Sequence, residues 1–183
     1  TCSKLENISF GEKSNLTTIG DNAFQKCKKL KSISIPSSVE SIGNNAFDTC
    51  SKLENISFGE KSNLTTIGDN AFQGCNELKS ISIPSSVESI GISAFQTCYN
   101  LENISFGEKS NLTTIGDNAF QVCDKLKSIS IPSSVESIGI SAFQTCSKLE
   151  NISFGEKSNL TTISDKTFQY CEKIKSISIP SSV

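Results

Sequence analysis

The chain contains no histidine, arginine, methionine or tryptophan, and its 183 residues include only two tyrosines. Each absence removes a class of function. General acid–base and nucleophilic catalysis usually call on His, or on a carboxylate or Lys held in a desolvated pocket. No such constellation stands out, so the chain reads as a non-enzyme. Zinc normally takes ligands paired at close spacing, such as C-x-x-C, and that pairing is missing along with His, so no metal or other cofactor is expected. Protein-binding hot spots are enriched in Trp, Tyr and Arg, and their scarcity argues against a single tight site. A formal net charge of −2 and a pI near 5.3 leave no basic surplus to neutralise phosphates, which argues against nucleic acid. Apolar runs of two or three residues fall far short of the ~20 needed to cross a bilayer, so no direct membrane insertion is expected. There is no signal-peptide pattern either, and Thr1-Cys2 opens in the middle of a repeat, so we expect a segment of a longer protein.

What is present is repetition. Cysteines stand at 2, 27, 50, 75, 98, 123, 146 and 171, with spacings that alternate between 25 and 23 residues, so the true unit is a pair of 48. The longer half reads CSKLENISFGEKSNLTTIGDNAFQK and the shorter reads CKKLKSISIPSSVESIGNNAFDT. Residues 1–183 thus form a single repeat domain of seven full repeats and one partial repeat, each starting at a Cys, with no linker and no capping repeat.

Each apolar position implies a local structure. Alternation of Ile33 and Ile35 with Ser32 and Ser34 marks a half-buried strand, ended by Pro36. In the longer repeat Gly11 takes the place of Pro36, and two extra residues within 12–15 make a longer loop. Apolar residues three apart, Val39 to Ile42 and Leu16 to Ile19, suggest a short second strand. Gly43 turns the chain, and 45–49 is too short for an independent helix, so a single helical or 3₁₀ turn tucking Phe47 inward is expected. One repeat cannot bury these side chains alone. Stacking places Leu on Leu, Ile on Ile and Phe on Phe, each buried side chain contributing roughly 1.5 to 3 kcal/mol.

The outward strand positions form columns of their own. One alternates in charge through Glu54, Lys79, Glu102 and Lys127, which reads as a self-neutralising ladder that serves solubility and register. The next runs Asn55, Ser80, Asn103, Ser128, and a third is all serine, Ser57, Ser82, Ser105, Ser130. These twelve residues are the candidate binding face, flat, polar and free of aromatics, suited to weak multivalent contact. Cysteines one coil apart lie within disulfide range, but stacked side chains run parallel. A ladder of buried thiols, with weak bonds to backbone carbonyls, is therefore the preferred reading over disulfides or metal. Eight N-x-[ST] sequons recur, among which the loop sites Asn15, Asn63, Asn111 and Asn159 are the candidate glycan carriers. Asp21, Asp69, Asp117 and Asp165 recur once per pair, too far apart to share a calcium ion, and are expected to cap the turn that follows each of them.

The pattern L-x-x-I-x-I-P-x-S-V-x-x-I-G-x-x-A-F-x-x-C, as at 78–98, resembles the BspA-like leucine-rich repeats over the whole chain. The resemblance implies a leucine-rich-repeat solenoid of the α/β horseshoe type, mainly β. It has a parallel strand ladder on one face and short strands with single helical or 3₁₀ turns on the other. It also implies a surface-exposed or secreted protein that adheres to a protein ligand, such as a host extracellular or matrix protein. The reading by residues leaves open a structural, self-assembling spacer whose role is the stacked array, and an ice- or glycan-lattice-binding face. Uncapped end coils, with Leu5 and Phe24 at one end and Ile177 and Ile179 at the other, further suggest end-to-end self-association.

Overall fold

The computed structural model describes residues 2–11 and 13–183; Thr1, and Glu12 in the first long loop, lie outside the described residues. The strands in chain order are β1 (Asn7–Ile8), β2 (Thr18–Ile19), β3 (Ser32–Ile35), β4 (Ser41–Ile42), β5 (Asn55–Phe58), β6 (Thr66–Ile67) and β7 (Ser80–Ile83). They continue as β8 (Ser89–Ile90), β9 (Asn103–Phe106), β10 (Thr114–Ile115), β11 (Ser128–Ile131), β12 (Ser137–Ile138), β13 (Asn151–Phe154) and β14 (Thr162–Ile163). Odd-numbered strands form the front of a solenoid and even-numbered strands its second side.

Side-chain alternation places the strands as the sequence implies. In β3 the burial pattern is exposed, buried, exposed, buried, with Ile33 and Ile35 inside and Ser32 and Ser34 outside. All pairing is parallel and in register, Ser32 opposite Asn55 and Ile33 opposite Ile56 in one step. Inside, each coil stacks its apolar residues on the next. Leu78, Ile83, Val87, Phe95 and Cys98 are each 0 % exposed, so the interior is dry columns of like on like. Phe rings from Phe24 to Phe168 stack face to face with centroids 5.2 to 5.7 Å apart. The planes of Phe47 and Phe72 differ by only 1°, and those of Phe72 and Phe95 by 10°, so successive coils are nearly parallel copies.

The two sheets differ in continuity. The second side is one unbroken seven-stranded sheet from β2 to β14, whereas the front divides into β1-β3-β5, β7-β9 and β11-β13. Proline contributes to the breaks after β5 and β9, although Pro36 in the first short coil leaves β1 and β3 paired over two residues. In the paired step from β3 to β5, the ladder closes with Gly59 N–H donating to the Ile35 carbonyl at 2.9 Å, and Asn63 N–H then donates to Ser37 O at 2.9 Å. The next step, from β5 to β7, puts Pro84 where Gly59 stood, and proline has no N–H to offer the Phe58 carbonyl. Gly59 is itself required by the closed step, since a Cβ there would lie 2.8 Å from the Ser37 nitrogen.

The third side departs from the expected helical or 3₁₀ turn: among the described residues it holds successive tight turns and no helix. Two left-handed residues per coil, non-glycine at every place but Gly74, explain why. Asn45 and Thr49 have φ of 55° and 59°, and the equivalent Ser93 and Thr97 have 54° and 58°, left-handed values that no right-handed turn of helix contains. The backbone therefore alternates its hydrogen bonds. Ala46 N–H returns to Gly43 O and Asp48 N–H to Asn45 O within the coil, while Asn45, Phe47 and Thr49 donate to Asp69, Ala71 and Gln73 of the next coil. Repeated along the stack, this makes three columns of six inter-coil bonds among the described residues, 2.7 to 2.9 Å long, all running the same way.

Candidate binding face

The front strands hold the candidate residues at fixed height. Glu54, Asn55, Ser57, Lys79, Ser80, Ser82, Asn103, Ser105, Lys127, Ser128 and Ser130 are all exposed, and Glu102 is half-buried. Their order along the face follows from register: Asn103 lies beside Ser80 and Ser105 beside Ser82, and Asn151 beside Ser128. The charged column alternates in sign as read from the sequence, but its heads do not meet. Among the described residues the one ion pair is Lys52 with Glu77, 3.5 Å apart and well exposed, off that column. Exposed pairs of this kind contribute little, so the alternation sets local neutrality rather than stability.

The thiol column is close to expectation, with one correction. Cys2 is exposed, and the seven others are buried and free. Each of the six from Cys50 to Cys171 donates its S–H to the carbonyl of the preceding coil's Phe, as Cys50 does to Phe24 at 3.2 Å and Cys98 to Phe72 at 3.3 Å. Burial pushes the Cys50 and Cys98 thiols up to about 12 and holds Cys75 and Cys123 well above the ordinary thiol value. A thiol held neutral is neither a nucleophile nor a metal ligand, so these four pack as small apolar groups, whereas the hydrogen bond from Cys146 lowers Cys171 at the end of the column.

The aspartates act across coils instead of capping their own turns. Asp69 Oδ1 accepts the N–H of Ile92, and Asp117 Oδ1 that of Ile140, both at 2.7 Å and both in the next coil. Asn44 serves the same purpose, taking the Asp69 N–H at 2.8 Å. A glutamine column escaped the sequence reading altogether. Gln73, Gln96, Gln121, Gln144 and Gln169 pass one amide hydrogen bond to the next along the stack, and Gln25 begins a similar step on Asp48. Its signal, a Gln after nearly every Ala-Phe or Thr-Phe, was present in the sequence. Both sets of sequon asparagines are exposed, Asn63 and Asn111 in the loops and Asn55 and Asn103 on the front strands. No helix among the described residues is long and apolar enough to cross a membrane.

Between the front sheets lie clefts. The broken step beside β5 leaves a hollow of about 410 Å³ floored by the half-buried Phe58 and Ile56, with Pro84 across it and Ser57 and Ser82 at its rim. Its copy between β9 and β11 has a volume of about 390 Å³ and is lined by Phe106, Pro132, Ser105 and Ser130. Hollows with like lining lie at Phe10, at the step where β1 and β3 are paired, and at Phe154, beyond the last front strand pair. From Phe47 to Phe143 the third-side column is thus fully buried, whereas these front phenylalanines are only half-buried, although the sequence pattern had treated every apolar letter alike.

Parallel strands, stacked apolar columns and a 23/25-residue coil define a leucine-rich-repeat solenoid. Among solved structures, the pneumococcal vaccine antigen PcpA is similar at 30 % identity with a TM-score of 0.70, covering 78 % of this chain and 37 % of its own. A leucine-rich repeat protein from Bacteroides ovatus is 35 % identical with a TM-score of 0.55, covering 78 % of this chain and 42 % of its own. One from T. pallidum is 26 % identical with a TM-score of 0.53, covering 73 % and 72 % respectively. The chain therefore spans less than half the length of the first two. No curated protein matches it. The BspA type leucine rich repeat region matches residues 1–77 and 65–183, in six copies, and the chain belongs to that family.

Proposed function

We propose that this chain is a non-catalytic adhesive module, displayed at a cell surface or secreted, that binds a protein ligand such as a host extracellular or matrix protein through the outward face of its front strands. The observation that carries the reading is the exposure of three in-register polar columns repeated coil after coil, a surface that offers many equivalent weak contacts. Similarity to a pneumococcal vaccine antigen supports surface display. A structural spacer is the competing reading, and the aromatic-poor front face favours it. The two separate in a binding experiment with immobilised extracellular matrix proteins, comparing this chain with a Lys79→Glu, Lys127→Glu variant. The adhesive reading expects concentration-dependent capture that the double variant weakens by tenfold or more at low salt, roughly the change that one lost or reversed contact of ~1.4 kcal/mol gives. Absence of capture by any matrix protein leaves the spacer.

A further inference from the structure

The front clefts share a chemistry that the outward columns do not. Each has an aromatic floor, Phe58 or Phe106, whose ring is left half-open by the missing ladder bond beside it. Each is rimmed by serine hydroxyls from two coils, Ser57 with Ser82 and Ser105 with Ser130. Each also presents a backbone carbonyl, that of Phe58 or Phe106, that the opposing proline cannot satisfy. An aromatic face is electronegative and attracts the slightly positive C–H bonds of an apolar ring face. Hydroxyls and a carbonyl around it supply donors and acceptors for equatorial hydroxyl groups. That combination recognises a pyranose ring.

Two further facts narrow the ligand. First, the clefts are periodic: they recur once per pair of coils, and on the turn wall, where ring centroids lie 5.2 and 5.3 Å apart at successive steps, a pair of coils advances about 10.5 Å. In a straight sugar chain with equatorial β-linkages alternate rings present the same face, so the repeat is a disaccharide, and its length is close to this spacing. Second, the surroundings are neutral. The cleft lysines Lys61 and Lys109 each follow a glutamate, Glu60 and Glu108, in the same turn, and the flanking column alternates Glu54 with Lys79. A polyanion would gain little there.

We propose that the clefts at Phe10, Phe58, Phe106 and Phe154 form one track for an extended, neutral, β-linked polysaccharide of the cellulose or chitin type, one disaccharide to each cleft. The track does not depend on the protein-binding reading, because the residues that carry it are the half-buried aromatics and not the charged columns. Titration calorimetry with soluble cello- and chito-oligosaccharides of increasing length tests it. The expected result is affinity that tightens by roughly tenfold or more each time the chain grows enough to reach a further cleft, since the added contact is intramolecular. A Phe58→Leu, Phe106→Leu variant, which keeps an apolar floor and whose folding is checked by its melting curve, should lose tenfold or more. A Lys61→Gln, Lys109→Gln variant should bind as before. Preference for one oligosaccharide series over the other tells whether the acetamido group is read, and either preference supports the track. Binding that does not depend on length, or confined to acidic glycans and lost with the lysine variant, overturns the proposal, as does no binding to either series.

Discussion

The third side and the front of this solenoid are built from the same repeats, yet one is continuous and the other is broken after β5 and again after β9. On the third side every coil donates three backbone bonds to the next, stacks a Phe on a Phe and lodges a thiol beneath a carbonyl. At the front, the ladder is interrupted opposite Pro84 and Pro132, and Phe58 and Phe106 beside those gaps are half-open. Cohesion and display are thereby separated: one wall holds the stack together, and the other is free to vary its surface and its gaps. A strand ladder is the feature such a repeat advertises in sequence, but the turns carry the unbroken bonding.

Several substitutions would break or sharpen this contrast. The largest effect is expected from Phe95→Ala, which empties a fully buried place in the ring column and should cost about 3 to 5 kcal/mol. Phe58→Ala, at the half-buried cleft floor, should cost clearly less. Denaturant melts of the two variants decide it, and equal losses would show that the front is as tightly packed as the turn wall. Next comes Gly107→Ala. A Cβ there would lie 2.7 Å from the Ser85 nitrogen, a backbone atom that cannot move aside alone, so overpacking of the closed front step should cost about 1 to 3 kcal/mol.

Alkali supplies a third test. The Cys98 thiol is raised to about 12 in the fold from an ordinary value of 9.0. Between those values the unfolded chain has lost the proton that the folded chain keeps, so the unfolded state binds fewer protons and stability falls as pH rises. Below 9 the contribution is intact. The slope is about 1.4 kcal/mol per pH unit for each such thiol. Thermal melts between pH 9 and 12 should show it, and Cys98→Ala should flatten it. In the same vein a thiol reagent at neutral pH should modify Cys2 alone until denaturant exposes the buried seven. Smallest of all is Ser82→Ala on the outer face, expected to change stability by less than about 0.5 kcal/mol.

How far the sequence revealed this depends on whether a feature lies within one coil or between two. Ile33 and Ile35 against Ser32 and Ser34 announced a strand and its inside, and Pro36 its end, because those are properties of a single segment. The cysteine spacing gave the period, and the alternating columns gave the exposed face. What lay hidden was inter-coil geometry. Nothing in the local sequence around Asp69 or Pro84 says that Asp69 will hold the nitrogen of Ile92, or that the step from β5 to β7 will stay open next to Phe58, since each effect needs the neighbouring coil at a known height. The left-handed residues were half-legible. Asn45, Asn70 and Asn118 belong to the residue type that tolerates such a backbone best, but Ser93, Thr97 and Val122 in equivalent places carry no such mark.

The direction of the turn-wall bonds has an electrical consequence. In every coil the peptides joining 44 to 45, 46 to 47 and 48 to 49, or their equivalents, point the carbonyl toward the preceding coil and the N–H toward the following one. The glutamine amides are passed along in the same sense. Peptide dipoles of roughly 3.5 D aligned head to tail add along an axis, as they do in an α-helix. Here the polarity is the reverse of a helix, negative where the chain enters the stack and positive where it leaves. The bonds between coils on the other two sides run the opposite way, as from Glu40 N–H to the Thr17 carbonyl and from Gly59 N–H to that of Ile35, so the solenoid carries opposed dipoles on different walls, and the favoured place for an anion at its exit end is the turn wall alone.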